Sequence, residues 1–297
     1  MRAVSFLPAA TTMLQQLGLS EHLYGQTFEC PGDAPVIVHS ALEDESLSSS
    51  EIHEKIQHAA ATGESVYSVN QDELSKAAPD VVFTQQVCNV CQIGEDETRE
   101  AVQSLTPTPE VIPLSPKTLN DVWSDIETVA HAVGAPEKGE EMRQAITQDI
   151  QALRRCLENE PKRRIFFMEW PDPVFHAGHW IPEMIEAAGG FDPLGRPGGK
   201  SGVVNVADIA ETDPEVMIAA PCGLSPSEAE TEVQTQLVRP EWQALRAVKN
   251  NEVYTINADL FTQPGIDLIE GIYTLARLLH PNLLLPAMTS RNVRAKL

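Results

Sequence analysis

Basic residues are scarce in this 297-residue chain: 21 Lys and Arg stand against 43 Asp and Glu, a net charge of −22. The acids are spread along the chain and form no single tail. Nucleic acid and anionic membrane surfaces both need clustered Lys and Arg, so neither is expected as a partner. Long apolar runs are missing too. None approaches the roughly 20 residues that span a bilayer, so no membrane insertion is expected. The opening Met1-Arg2-Ala3-Val4-Ser5-Phe6-Leu7-Pro8 holds one basic residue, a strand-length apolar run broken by proline, and no small-residue cleavage site. It does not read as a secretory signal, and a cytoplasmic location is expected. In that reducing setting the five cysteines are expected as thiols or thiolate ligands, not disulfides.

Nucleophile and phosphate motifs are also lacking: there is no GxSxG, no P-loop and no HExxH. Gly189, Gly190, Gly195, Gly198 and Gly199 lack the Rossmann spacing and the strand before it, and read as a helix stop and a mobile loop. No thioredoxin-type sequence surrounds the one CxxC. The chain is therefore expected not to be an enzyme. No internal repeat or low-complexity tract is evident.

What remains is a soluble globular composition, 42% hydrophobic and 22% charged, long enough for two domains of roughly 100–200 residues. Apolar runs at 2–7, 23–28, 35–38, 80–83 and 110–114 read as strands, with helical patterns between several of them. Thr11 or Thr12 is the expected cap of the first helix, Ser49 or Ser50 starts another, and Asn70 with Glu73 resembles a capping box. Repeating β–α implies a parallel sheet covered by helices. The period then changes. Leu119, Val122, Ile126 and Val129, then Met142, Ile146, Ile150 and Leu153, keep helical spacing with no strand between them. This predicts a stiff helical spine. Strands at 164–168, 215–219 and 252–256 follow, then an apolar helix to Leu279 and a frayed tail from Met288. The expected organisation is an N-terminal α/β lobe (1–118), a connecting helical spine (119–160) and a C-terminal α/β lobe (161–297).

Candidate site residues recur at one place, just past a strand: Glu29-Cys30, Cys88 and Cys91, Glu169-Trp170, Cys222, and Asp259 to Phe261. Open α/β sheets bind ligands at the carboxyl ends of their strands, and two such lobes facing each other would pool these residues. A single cysteine after a strand is usually a small buried apolar residue, and Cys156 in the spine reads as structural. Four thiols at strand ends, however, favour a tetrathiolate site for zinc or an iron–sulfur cluster. The spacing matches neither a zinc ribbon nor a ferredoxin run. His176 and His179 are the second constellation. His179 is either a ligand in the cleft or a residue that fixes the following backbone, and His176 reads as the latter. Trp170, Phe175 and Trp180 suggest a flat apolar wall.

Val4 to Thr11 (VSFLPAAT), Gly25 to Cys30 (GQTFEC), Pro79 to Gln85 (PDVVFTQ), and Glu169-Trp170 with Ala177 to Glu183 (AGHWIPE) together resemble the cobalamin- and iron-siderophore-type periplasmic binding proteins of ABC transport, in particular a cysteine-containing, cobalamin-binding-like branch. The resemblance runs over nearly the whole chain. It implies two Rossmann-like lobes with parallel sheets joined by one long rigid helix, a ligand between them and little hinge motion. It also implies cobalamin, haem or a metal chelate as cargo and an ABC transporter as partner. Phe28-Glu29-Cys30-Pro31 stands where the branch often has His-Glu-Cys-Asp. The expectation from these residues is a binding protein whose cleft holds a four-iron cubane cluster on Cys30, Cys88, Cys91 and Cys222. Glu29, Glu169 and His179 would stand behind it as supporting or replacement ligands, with a redox protein as the other expected partner. Zinc is an alternative metal. The alternative ligand is cobalamin or a related tetrapyrrole held by His179, Trp170 and Phe261, and a redox-active dithiol is a third reading.

Overall fold

The apolar runs become strands because β-branched and aromatic residues, covered on both faces, suit a parallel sheet. A computed structural model describes residues 1–30, 32–42, 47–62, 65–85, 93 and 95–295. The N-terminal lobe carries β1 (Ala3–Ser5), α1 (Pro8–Gln16), β2 (Leu23–Thr27), β3 (Val36–Ser40), α2 (Ser49–Thr62), β4 (Tyr67–Val69), α3 (Gln71–Ala77), β5 (Val81–Gln85), α4 (Glu95–Val102) and β6 (Glu110–Leu114). Its sheet order is β4-β3-β2-β1-β5-β6, parallel except for β4. Asn70 caps α3 as expected, accepting from the Glu73 N–H at 3.1 Å. The first helix starts earlier than its threonines suggested. Pro8 occupies its first turn, where a missing N–H costs nothing.

The spine resolves into two helices, α5 (Leu119–Ala132) and α6 (Pro136–Leu157), where the resemblance implied one. The break falls at Val133-Gly134-Ala135, with Gly134 at φ +85° and Pro136 opening the second helix. The two pack tightly on each other through Gly139, where a Cβ would stand 2.9 Å from Ala130 Cβ. Arg143 adds an ion pair to Glu127.

The C-terminal lobe carries β7 (Arg163–Pro171), β8 (Val174–His176), α7 (Ile181–Ala187), β9 (Gly190–Phe191), β10 (Gly202–Val203), α8 (Val206–Thr212), β11 (Val216–Ala219), α9 (Pro226–Leu237), α10 (Pro240–Gln243), α11 (Arg246–Lys249), β12 (Val253–Thr255), α12 (Asp259–Thr262), α13 (Leu268–Leu279) and α14 (Thr289–Arg294). β7, β11 and β12 are parallel. β8 and β10 add an antiparallel edge in the order β10-β8-β7-β11-β12, and β9 pairs beside β7. The tail from Met288 is not frayed through Ala295: α14 packs on the spine. Buried Asp149 of α6 accepts from the Thr289 N–H at 2.5 Å, the Ser290 N–H at 2.9 Å and the Ser290 hydroxyl at 2.5 Å.

One hydrophobic cluster runs from α1 through α5 and α6 to α7 and α13, so the lobes share a core along the spine. Away from the spine they also touch. Ser49 of α2 donates to Glu232 of α9 at 2.7 Å, and His53 meets Phe175 edge-on at 5.7 Å.

Candidate functional site

The strand-end candidates are distributed over both lobes. Glu29 follows β2, Glu169 lies in β7, and Cys222 follows β11. Cys222 is open to solvent, yet protein surrounds it on enough sides that desolvation pushes its thiol up to about 12, with the Glu169 and Glu29 carboxylates adding to the rise. Each lobe thus contributes one carboxylate whose field reaches this thiol. Cys30 is buried at the end of β2, its N–H bonded to Thr27 O at 3.1 Å, and burial pushes its thiol up to about 11. Cys88 and Cys91, the other two expected thiolates, lie outside the described residues. Among the described residues no group of three or more His, Cys, Asp or Glu side chains is placed to hold a metal ion. Cys156 is the structural residue it was read as: half-buried, with its Sγ 3.6 Å from Leu284 O.

Glu169 does more than stand beside a thiol. Its Oε2 accepts the Gly178 N–H at 3.2 Å and the Ser201 hydroxyl adjoins it, so it ties the 177–179 segment to the loop through Ser201. That glycine-rich loop is docked, contrary to the mobile loop expected. His179 N–H donates to Gly199 O at 2.5 Å, and Gly198 N–H returns to His179 O at 2.8 Å. The arrangement needs no side chain at 178, where a Cβ would stand 2.2 Å from Ser201 N. His179 itself is left-handed, at φ +51°. Its Nδ1 is buried without a partner among the described residues, and burial, then Lys200 and Lys117, hold its pKa below the usual histidine range. His176 is buried with its Nδ1 2.9 Å from Ala177 O, a backbone-fixing role as read.

Burial pushes the Glu169 carboxyl up to about 7, against the lowering effect of its Gly178 and Ser201 bonds. Since the folded pKa lies above the unfolded one, near about 4.3, Glu169 stabilises the fold at low pH and loses that contribution as pH rises through about 7. Thermal melts from pH 5 to 8 should therefore show a smaller loss of Tm in Glu169→Gln than in the parent. Equal pH slopes would contradict the assignment.

The aromatic expectations divide. Trp170 is half-buried, its Nε1 donating to Asp172 O at 3.0 Å, and Phe175 is half-buried beside His53. Trp180 and Phe261 belong to the core instead. The Trp180 Nε1 donates to Phe261 O at 2.7 Å, and Phe261 is fully buried against Phe167 with ring centroids 5.5 Å apart. Phe261 therefore offers no surface to a ligand. Sequence reasoning missed Lys117, Lys200 and Ser201, which carry no local motif. It also left Glu183 of the same block without a role; its Oε2 accepts the Leu119 N–H at 2.6 Å and joins α7 to the start of the spine.

A cavity of about 590 Å³ lies away from these residues, on the flank of the N-terminal lobe. Its Arg2 stacks on Tyr24 at 3.7 Å and is already committed to the carbonyls of Ala77 and Ala78 that end α3. The interlobe residues are the better candidate, because they join both lobes.

Known proteins share this fold. A family model described as periplasmic binding protein matches residues 29–260. An uncharacterised ABC transporter substrate-binding lipoprotein of Bacillus subtilis is 24% identical over 171 residues, covering 56% of this chain and 52% of its own length. A vitamin B12-binding protein of Vibrio cholerae is 26% identical over 168 residues, covering 54% and 58%. The chain thus spans about half the length of the curated relatives it matches. The crystal structure of the periplasmic haem-binding protein HutB of Vibrio cholerae superposes with a TM-score of 0.69 at 15% identity, covering 95% of this chain and 99% of that one, a likeness of fold.

Proposed function

We infer the function from one premise: the chain belongs to the periplasmic binding protein family, whose relatives and structural neighbours are binding proteins and not enzymes. In our reading it binds a corrinoid, a related tetrapyrrole or another metal chelate between its lobes and presents it to an ABC transporter. The observation that carries this is that the fields of the Glu29 and Glu169 carboxylates, one from each lobe, both reach the solvent-open Cys222 thiol. A ligand there touches both lobes, and half-buried Trp170 and Phe175 supply apolar surface nearby. The vitamin B12-binding and haem-binding proteins among its likenesses support that cargo class. The shared core along the spine supports binding with little hinge movement.

A second reading keeps the thiols as ligands of an iron–sulfur cluster or zinc on Cys30, Cys88, Cys91 and Cys222. Against a preformed thiolate set, Cys30 and Cys222 both hold their protons at neutral pH. The test is titration of anaerobically purified protein with cyanocobalamin, cobinamide and haemin, with iron, sulfide, zinc and cobalt quantified per chain. One saturable site for a tetrapyrrole and no matched iron and sulfide is expected. Bound iron and sulfide in equal amounts, with no tetrapyrrole binding, would overturn the reading in favour of the cluster.

A further inference from the structure

β2 begins at Leu23, but β3 pairs with it only from Gln26 onward. Leu23 and Tyr24 therefore have β1 on one side and, among the described residues, no strand on the other. The cavity of about 590 Å³ on this flank lies against that stretch, closed by Gln15 of α1, Gln26, the turn 32–35 and the end of α3. Its size falls within the roughly 300–1,000 Å³ of small-molecule sites. The charged groups in its wall balance: Arg2 and Lys76 stand against Asp33 and Glu73. Two of them are paired, Lys76 with Glu73 at 2.7 Å. Arg2 covers Tyr24 and donates to Ala77 O at 2.7 Å, Ala78 O at 3.2 Å and Lys76 O at 3.3 Å. The wall thus offers a ligand no net charge of either sign.

Gln26 is the group in that wall with something missing. It is 1% exposed, and its Nε2 donates to Cys30 O at 3.2 Å and Gly32 O at 3.4 Å. Two carbonyl acceptors fix which way the amide faces. Its Oε1 is left buried without a donor among the described residues. Pro31, the residue between those two carbonyls in sequence, has no N–H to give. Buried acceptors are nearly always paired, so an orphan lining a cavity calls for an outside donor. Gly32 leaves room for one. At φ +123° it has no side chain, and its Cβ position lies 3.9 Å from Gln26 Oε1 and 3.1 Å from Gln15 Nε2. The gap is therefore bordered by an amide acceptor and an amide donor, which suits a group that both donates and accepts. We propose that this cavity is a second binding site, for a small neutral molecule whose amide or hydroxyl group enters beside Gly32 and donates to Gln26 Oε1. It is separate from the interlobe site and independent of the cargo bound there.

The test titrates the ¹⁵N-labelled full chain with two pairs of probes, following the side-chain amide signals of Gln15 and Gln26. Nicotinamide against nicotinate reads an amide and its anionic counterpart. Glucose against glucosamine reads hydroxyls with and without a positive charge. At least one neutral probe should shift these signals saturably, and its charged counterpart should bind about tenfold more weakly. Which pair responds identifies the amide or the hydroxyl. Ala34→Trp fills the cavity from a half-buried position in the 32–35 turn and should abolish the shift. Gln26→Leu removes the acceptor and, read at Gln15, should weaken binding about tenfold. If Gln26→Leu does not fold, Ala34→Trp, which leaves the bonds of Gln26 in place, decides alone. No saturable shift with either neutral probe overturns the site, as does binding that persists in Ala34→Trp. A charged member that binds as tightly as its neutral counterpart overturns the neutral class, and parental affinity in folded Gln26→Leu overturns the role of Oε1.

Discussion

Gly178→Ala should lower ligand affinity about 100-fold, roughly 2.7 kcal/mol, while leaving the far-UV circular dichroism unchanged. The added methyl would stand 2.2 Å from Ser201 N, 2.6 Å from Lys200 C and 2.8 Å from Gly199 O, all backbone atoms that cannot rotate away. Overpacking against main chain costs about 1–3 kcal/mol and is relieved by moving the weaker partner, here the loop. Moving it breaks the two bonds between His179 and Gly198 and Gly199, and unseats Glu169 from Gly178 N–H. The site loses its backbone support on the C-terminal side, and the sheets keep theirs. Gly265→Ala is the control: nothing lies within 4 Å of its Cβ position, so affinity should not change. Parental affinity in Gly178→Ala would show that the docked loop has no part in binding.

Asp149→Ala should cost about 3–5 kcal/mol of unfolding free energy in urea, the range for breaking a buried charged network by removing one partner. Three donors, Thr289 N–H, Ser290 N–H and the Ser290 hydroxyl, lose their acceptor at once, and Ser290 is itself buried. The start of α14 would then detach from α6. Asp149→Asn keeps an acceptor oxygen and should cost less. A loss below about 1 kcal/mol in the alanine variant would place it among ordinary surface substitutions and contradict the docking of α14 on the spine.

The two effects differ in how far the sequence revealed them. The strands of both parallel sheets were legible, because a continuous run such as Ile165-Phe166-Phe167-Met168 has few other uses. The short pieces β4, β8, β9 and β10 were not, being two or three residues long and stabilised only by their neighbours. The spine's helical period was plain, but Gly134 and Pro136 break it into two helices that fold back on each other. The tail looked exposed because its basic residues carry no apolar period. What seats it is one carboxylate more than a hundred residues earlier in the chain, at a distance no local pattern encodes.

The candidate site was half legible. Strand-end position found Glu29, Glu169 and Cys222, and the AGHW block found His179. Phe261 satisfied the same positional rule but points into the core, since a short helix after β12 turns its ring onto Phe167. Lys117 and Lys200 carry no local motif, and only the fold brings their fields to His179. Gly178 is equally silent in the sequence, because the backbone it must admit comes from a loop more than twenty residues away.

The most direct measurement of the central claim is the rate at which N-ethylmaleimide alkylates Cys222, read residue by residue by mass spectrometry, with and without bound ligand. Cys222 is exposed, and half-buried Cys156 on α6 serves as the internal reference. If the ligand sits between the lobes, Cys222 alkylation slows about tenfold or more at ligand near 100 times its Kd, while Cys156 reacts at its former rate. A ligand that binds and leaves the Cys222 rate unchanged would contradict the interlobe site.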